Sequence, residues 1–299
     1  MSALVIGESL VDVISGVAVP GGSPMNVAVG LARLGREVRL ATWFGRDEYG
    51  ALIREYLAAS GVELVVGSDG AVRTSSAEVV FGSGGAARYL FDIDWHVPEV
   101  VVGGVVVGEG VLPEIVHVGS LGAVLAPGGS RVLELAREFA GVGVAVSFDP
   151  NCRPGVMGAV SDVRRIVEDY VSVARVVKVS DEDLQWLYPG CVEEGVASQW
   201  AAEGPGLVVL TRGAAGAVGF SGQACVRVAA PEVAVVDTVG AGDAFMSGLL
   251  HQLWADGWLN SGGSLDEGSL SRVMNVATNA AGVALSRRGA DPPWLSELA

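Results

Sequence analysis

Gly240, Ala241, Gly242 and Asp243 stand together in the run VVDTVGAGDAFMSGLL, residues 235–250, with an apolar helical pattern directly behind them. Small residues at the mouth of a helix let the backbone press against a phosphate, and the free N–H groups of the first turn point outward toward negative charge. A carboxylate in the same place admits two readings. Asp243 can be a first-turn acid that suits the helix dipole. It can also be a base that takes the proton of an attacking hydroxyl while the neighbouring amides stabilise charge on a transferring phosphoryl group. A dinucleotide-binding fingerprint fits poorly, because Phe245 stands at the third glycine position and the run comes late in the chain. A P-loop is absent, since no glycine precedes the only lysine, Lys178, and neither HRD nor DFG occurs.

The elements that must position this run follow from periodicity. Ala3 to Gly7 is a short apolar strand, and Pro24 to Leu34 is a helix closed by Gly35. Val38 to Phe44 predicts a strand, and Asp47 to Ala59 a helix with Asp47 as its N-cap and Gly61 just beyond its end. From Glu63 to Trp95 the rhythm changes to two strands, Ala77 to Phe81 and Arg88 to Trp95, with no helix between them. Strand and helix then alternate again, with strands at Ile115 to Val118, Gly143 to Phe148, Val176 to Val179 and Leu207 to Leu210. A hairpin at Ala217 to Phe220 and Ala224 to Val228 precedes helices at Ala241 to Trp254 and Ser269 to Ser286. This pattern predicts an α/β fold on a mostly parallel sheet. In such sheets ligands gather at the carboxyl ends of the strands, where Asp149, Ser180 and Thr211 fall.

Composition narrows the function classes. Hydrophobic residues make up 50% and charged residues 18% of the 299-residue chain, the balance of a globular protein that can bury a generous core. A formal charge of -15 argues against nucleic acid and anionic lipid as partners, because both require a basic face. Three cysteines, Cys152, Cys191 and Cys225, lack metal or disulfide spacing. His96, His117 and His251 share no catalytic spacing and read as structural. The start of the chain lacks the basic leader of an export signal, and the most apolar stretch, Val100 to Val107, falls short of the ~20 residues that span a bilayer. A cytoplasmic location is the expectation.

GGSPMNVAVGLARLG at 21–35 and the run around Asp243 resemble the N- and C-terminal signatures of the ribokinase-like, or PfkB, family of carbohydrate kinases. GESLVD at 7–12, GRDEYG at 45–50, DPNCRP at 149–154, KVSDEDL at 178–184 and TRGAAG at 211–216 fall in the family's order, so the resemblance covers nearly the whole chain. It implies a single ribokinase-like domain over 1–299, a three-layer αβα sandwich with a small β-sheet lid formed by about 11–19 and 63–95. It implies an ATP-dependent sugar kinase with Asp243 as base and the Gly240 to Asp243 amides as anion hole. Asp12, Gly22 and Asn26 match sugar-binding positions. Thr211, Gly213 and Gly216 match the ATP loop, with Lys178 and Ser180 at the strand end that faces the phosphates. Asp183 matches the position that reaches magnesium through water, although relatives more often carry Asn and Glu where Ser180 and Asp183 stand. Asn279 lies where relatives flank the adenine. Asp237 and the carbonyl of Val239 match a loop that in many relatives holds potassium, together with the chain near Arg288 to Ala290.

The substrate reading rests on Asn151 and Arg153, since an amide and a guanidinium just past a strand end can grip several oxygens of one ligand. That DPNxR pattern resembles the fructokinase and 2-keto-3-deoxygluconate kinase branch. Fructose is the first expectation. An acidic sugar, helped by Arg88 from the β insertion, is the second; a nucleoside kinase and a sugar-binding regulator without catalysis are further alternatives. The resemblance also implies lids that pair between subunits, so a homodimer through Val79, Phe81, Tyr89 and Phe91 is expected.

Overall fold

A computed structural model describes residues 2–14, 16–81, 87–103 and 111–298. Its strands are β1 (Ser2–Ile6), β2 (Leu10–Ile14), β3 (Val17–Gly21), β4 (Glu37–Ala41), β5 (Val62–Leu64), β6 (Ser76–Phe81), β7 (Ala87–Asp92), β8 (Ile115–Gly119), β9 (Ala145–Asp149), β10 (Val176–Ser180), β11 (Leu207–Thr211), β12 (Ala217–Ser221) and β13 (Ala224–Val228). Its helices are α1 (Ser23–Arg33), α2 (Glu48–Ala59), α3 (Ser120–Val124), α4 (Gly128–Gly141), α5 (Pro154–Met157), α6 (Val160–Val171), α7 (Asp181–Leu187), α8 (Glu193–Glu203), α9 (Ala241–Ala255) and α10 (Glu267–Leu285).

Nine strands form the main sheet in the order β13-β12-β11-β10-β9-β8-β1-β4-β5. It is parallel from β5 through to β11, and the β12–β13 hairpin closes one edge in antiparallel fashion. Because successive side chains of a strand point to opposite faces, each central strand feeds two cores. Ala3 and Val5 of β1 pack with Met25, Leu31, Phe245 and Leu249 of α1 and α9, whereas Leu4 and Ile6 pack with Leu135, Phe139 and Val167 of α4 and α6. Helices thus cover both faces, which makes three layers. β-Branched residues fill these strands because they suit a surface buried on both sides.

A second sheet of four strands, β3-β2-β6-β7, stands apart from the first. β2 pairs in parallel with β6 and antiparallel with β3. Ile14, Val17, Val19 and Leu90 are exposed on it. The expected insertion started at Glu63, but Val62–Leu64 forms β5, the edge strand of the main sheet beside β4. Three residues between Gly61 and a turn-forming loop carry too little alternation to announce a strand. The expected strand to Phe44 ends at Ala41, after which Phe44 N–H turns to the Ser68 carbonyl at 2.9 Å. Asp47 caps α2 as expected, accepting from Gly50 N–H at 2.8 Å, and also ties down Thr74 N–H at 2.8 Å. The last helix begins at Glu267 because Asp266 accepts from Ser269 N–H at 2.7 Å and so serves as its N-cap.

Candidate active site

The carboxyl ends of β1, β8, β9, β10 and β11 open on one rim, and the N-termini of α1 and α9 point at it. A cavity of about 1160 Å³ occupies this rim. Its walls include Asn151, Arg153, Lys178, Ser180, Asp183, Thr211, Gly213, Gly216, Ala241 and Gly242. One end is apolar, built from Ala230, Pro231, Phe245, Ala281 and Leu285.

α9 starts at Gly240, whose φ of 74° swings the chain into the helix. Of its first-turn amides, Ala241 N–H turns back to the Thr238 carbonyl at 3.3 Å and Ala244 N–H to Gly240 at 2.8 Å. Gly242 and Asp243 keep N–H groups without a partner among the described residues, at the positive end of a 15-residue helix. The carboxylate of Asp243 is buried, and it accepts from Ser23 Oγ at 2.7 Å and from Asn26 Nδ2 at 2.8 Å. Asn26 lies one turn into α1 behind its N-cap Gly22, which adopts φ 113°; a Cβ there would lie 2.6 Å from the Glu8 carbonyl oxygen. Neither Asp12, Gly22 nor Asn26 lines the cavity. They sit beyond Asp243, on the side of the second sheet.

The ammonium of Lys178 borders the same spot. A Cβ on Gly242 would sit 3.1 Å from Lys178 Nζ, so glycine is what lets the helix mouth and the ammonium meet. Nζ donates to Asp149 Oδ2 at 2.8 Å, and both side chains are buried. Burial works to lower the Lys178 pKa, but Asp149, Asp183 and Asp243 outweigh it and leave it raised. Burial lifts Asp149 to about 6, against the pull of Lys178.

Asp183 forms a capping box at the start of α7. Oδ2 accepts from Ser180 N–H at 3.1 Å and Ser180 Oγ at 2.6 Å, and Oδ1 accepts from Cys152 N–H at 2.7 Å. Asp237 Oδ1 accepts from Val239 N–H at 3.1 Å and Oδ2 from Gly289 N–H at 2.9 Å. These bonds, Gly289 foremost, hold its carboxyl below the usual range and join the two segments expected to share a cation. On the far side Arg153 donates through Nη1 to Asn151 Oδ1 at 2.8 Å. Burial raises Asp12, with the Arg153 charge pulling it back.

One expectation comes out differently. Asn279 is exposed on α10 and does not line the cavity, which takes Thr278 and Ala281 from that helix instead. Consecutive helical residues are rotated by about 100°, so one position decides which of them faces the cavity. The expectation for Arg88 concerns a side chain outside the described residues, as do those for Val79, Phe81 and Tyr89. Sequence reasoning missed Ser23 and Glu8, and it placed Asp149 on the rim without its partner Lys178. Ser23 lay inside a quoted signature, but its hydroxyl read as an ordinary helix-start residue.

With this geometry in place, the profile of the pfkB family of carbohydrate kinases matches residues 3–297. The chain belongs to this family. A curated fructokinase of Rhizobium leguminosarum bv. trifolii is 32% identical to this PfkB kinase over 280 residues, which cover 89% of this chain and 85% of the relative. Fructokinase from Vibrio cholerae O395, solved as a double mutant with fructose, ADP and potassium ion, matches with a TM-score of 0.79 at 28% identity, over 100% of this chain and 95% of that one. Aminoimidazole riboside kinase from Salmonella enterica, solved with aminoimidazole riboside and an ATP analogue, matches with a TM-score of 0.76 at 25% identity, over 100% and 97%. The protein is a carbohydrate kinase, fructokinase-like, on a ribokinase-like fold. Among the described residues no helix is long and apolar enough to cross a membrane.

Proposed function

We propose that this PfkB kinase transfers the γ-phosphoryl group of ATP to a hydroxyl of fructose, with Asp243 as the base. The carrying observation is the placement of Asp243. Its buried carboxylate stands between the open amides of Gly242 and Asp243 with Lys178 on one side, and Ser23 and Asn26 on the other. A hydroxyl held there would pass its proton to Asp243 while the open amides of Gly242 and Asp243 and the Lys178 ammonium stabilise charge on the transferring group; Ala241 N–H, part of the expected Gly240 to Asp243 anion hole, is spent on the Thr238 carbonyl. Asn26 Oδ1 is buried without a partner among the described residues, an acceptor that a sugar hydroxyl would satisfy. ATP would lie along the cavity, its phosphates toward Lys178, Ser180 and Gly242 and its base in the apolar end near Gly213, Gly216 and Ala281. Thr211 would flank the phosphates.

Among the described residues no three His, Cys, Asp or Glu side chains are grouped to cage a metal ion. That arrangement suits magnesium, which keeps its waters and binds mainly through nucleotide phosphates. Asp183 would reach it through water, and the ion would neutralise phosphate charge. Potassium would be held by Asp237, the carbonyl of Val239 and the 288–290 segment, which the Asp237–Gly289 bond already brings together.

The sugar side favours a neutral ligand. Among the described residues Glu8 and Asp12 both feel the charge of Arg153, the cation on that side, and a carboxylated sugar would compete with them for it. Asp12, Gly22, Asn26, Asn151 and Arg153 would grip the hydroxyls. The four-stranded sheet would act as the lid of one continuous domain, excluding water from the transfer step. Its exposed Ile14, Val17, Val19 and Leu90 would pair with a second copy of the chain, in the cytoplasm.

A coupled ADP-release screen over fructose, 2-keto-3-deoxygluconate, ribose and adenosine, with and without potassium, tests the substrate. Fructose should give the highest kcat/KM; a faster keto acid or nucleoside overturns that choice. Asp243→Asn should cut kcat by roughly 10²–10⁴ with sugar binding retained, and substantial residual turnover would remove Asp243 from the mechanism.

A further inference from the structure

Among the described residues, Ser120 and Asn151 are the two non-glycine residues with positive φ, at 53° and 38°. Such conformations cost energy and collect where geometry serves a site. The two are neighbours, because β8 and β9 are adjacent parallel strands with Gly119 opposite Asp149, and each residue lies just past its strand end. Asn151 donates Nδ2–H to Ser120 Oγ at 3.4 Å, and its Oδ1 accepts from Arg153 Nη1 at 2.8 Å. The Ser120 hydroxyl lies near enough to the carboxyl of Glu8 to pull its pKa back against burial. Glu8 is only 2% exposed, and its Oε2 accepts from Gly122 N–H at 2.7 Å.

The donors run one way. Arg153 gives to Asn151 and Asn151 to Ser120, so the amide has one orientation that satisfies both neighbours, while Glu8 holds Gly122 N–H of the short helix that Ser120 begins. A cation at one end and a carboxyl at the other polarise the chain in the same sense. The remaining bonds of the guanidinium go to the main-chain carbonyls of Asn151 and Cys152, at 3.2 and 3.0 Å, which belong to the same turn. What fixes that turn therefore fixes Arg153.

We propose that Glu8 is a positioning residue for sugar recognition, acting through Ser120 and Asn151 to hold Arg153 against the substrate. This rests on the reading of Arg153 as a sugar contact. Steady-state kinetics of Glu8→Gln, Arg153→Ala and the double variant test it, with whichever of fructose and 2-keto-3-deoxygluconate turns over faster. Arg153→Ala should raise sugar KM by roughly tenfold or more, as the loss of a charged hydrogen-bond donor does. Glu8→Gln should raise it about fivefold, with smaller effects on kcat and on the KM for ATP, and should add nothing in the Arg153→Ala background. Ser120→Ala, which removes only a hydroxyl, should reproduce the Glu8→Gln phenotype and serves if that variant folds poorly. Additive effects, or a Glu8→Gln sugar KM equal to the parent's beside a large Arg153→Ala effect, overturn the relay and leave the sugar contact standing. An unchanged sugar KM in Arg153→Ala overturns the contact and the relay with it.

Discussion

Asn26 donates its Nδ2–H to Oδ2 of Asp243 at 2.8 Å, joining α1 to α9 across 217 residues of chain. With Ser23 on the other oxygen, the carboxylate is pinned in one orientation yet keeps lone pairs for a further donor.

That pinning predicts unequal losses. Asn26→Ala should lower kcat roughly tenfold or more, because it frees the carboxylate and also removes the buried, unpaired Oδ1 proposed to meet the sugar. Ser23→Ala should cost only a few-fold in kcat with sugar KM near the parent's. Equal effects of the two substitutions on sugar KM would contradict separate roles.

Lys178 and Asp149 form a buried ion pair, so removing one charge strands the other. Lys178→Met should destabilise the fold by about 3–5 kcal/mol and raise the KM for ATP. Denaturant unfolding gives the first quantity and initial rates the second. A variant as stable as the parent would mean that Asp149 takes up a proton at little cost.

Gly242→Ala places a methyl group 3.1 Å from Lys178 Nζ, where a long side chain can yield slightly. Stability should change by less than about 1 kcal/mol, because the better helix propensity of alanine offsets the tight contact, while the KM for ATP rises several-fold. Differential scanning fluorimetry alongside ATP titrations separates these. An ATP KM equal to the parent's would place the phosphates elsewhere.

Burial foremost lifts the Glu8 carboxyl from 4.5 to about 7. Between those values the folded protein holds a proton that the unfolded chain has lost. The stabilisation is present below pH 4.5 and disappears as pH rises through about 7, on the order of 3 kcal/mol in all. Asp149, raised to about 6 by burial, slopes the same way; His117, lowered to about 3 by burial, slopes the opposite way below pH 6.5. Glu8→Gln isolates one contribution. Its melting temperature should fall less between pH 5 and 8 than the parent's; parallel curves would place the titration on another group.

Much of the framework was legible because it is local. Alternating apolar runs marked the central strands, and a Gly-rich turn before an apolar helix marked Asp243. What stayed hidden lies in contacts between distant segments. Nothing in the type of Ser23 says that its hydroxyl meets residue 243, and nothing around Lys178 says that Asp149, 29 residues earlier, neutralises it. β5 was too short to read. Asn279 misled because a rotation of one residue along a helix leaves no trace in a motif.

Lys178 is the only lysine in the chain, and folding sequesters its amine against Asp149. Acylating reagents aimed at side-chain amines should therefore leave the native protein untouched and mark it once when it opens. A single mass increment at this position would count molecules that have unfolded, and a nucleotide seated over Gly242 should slow its appearance.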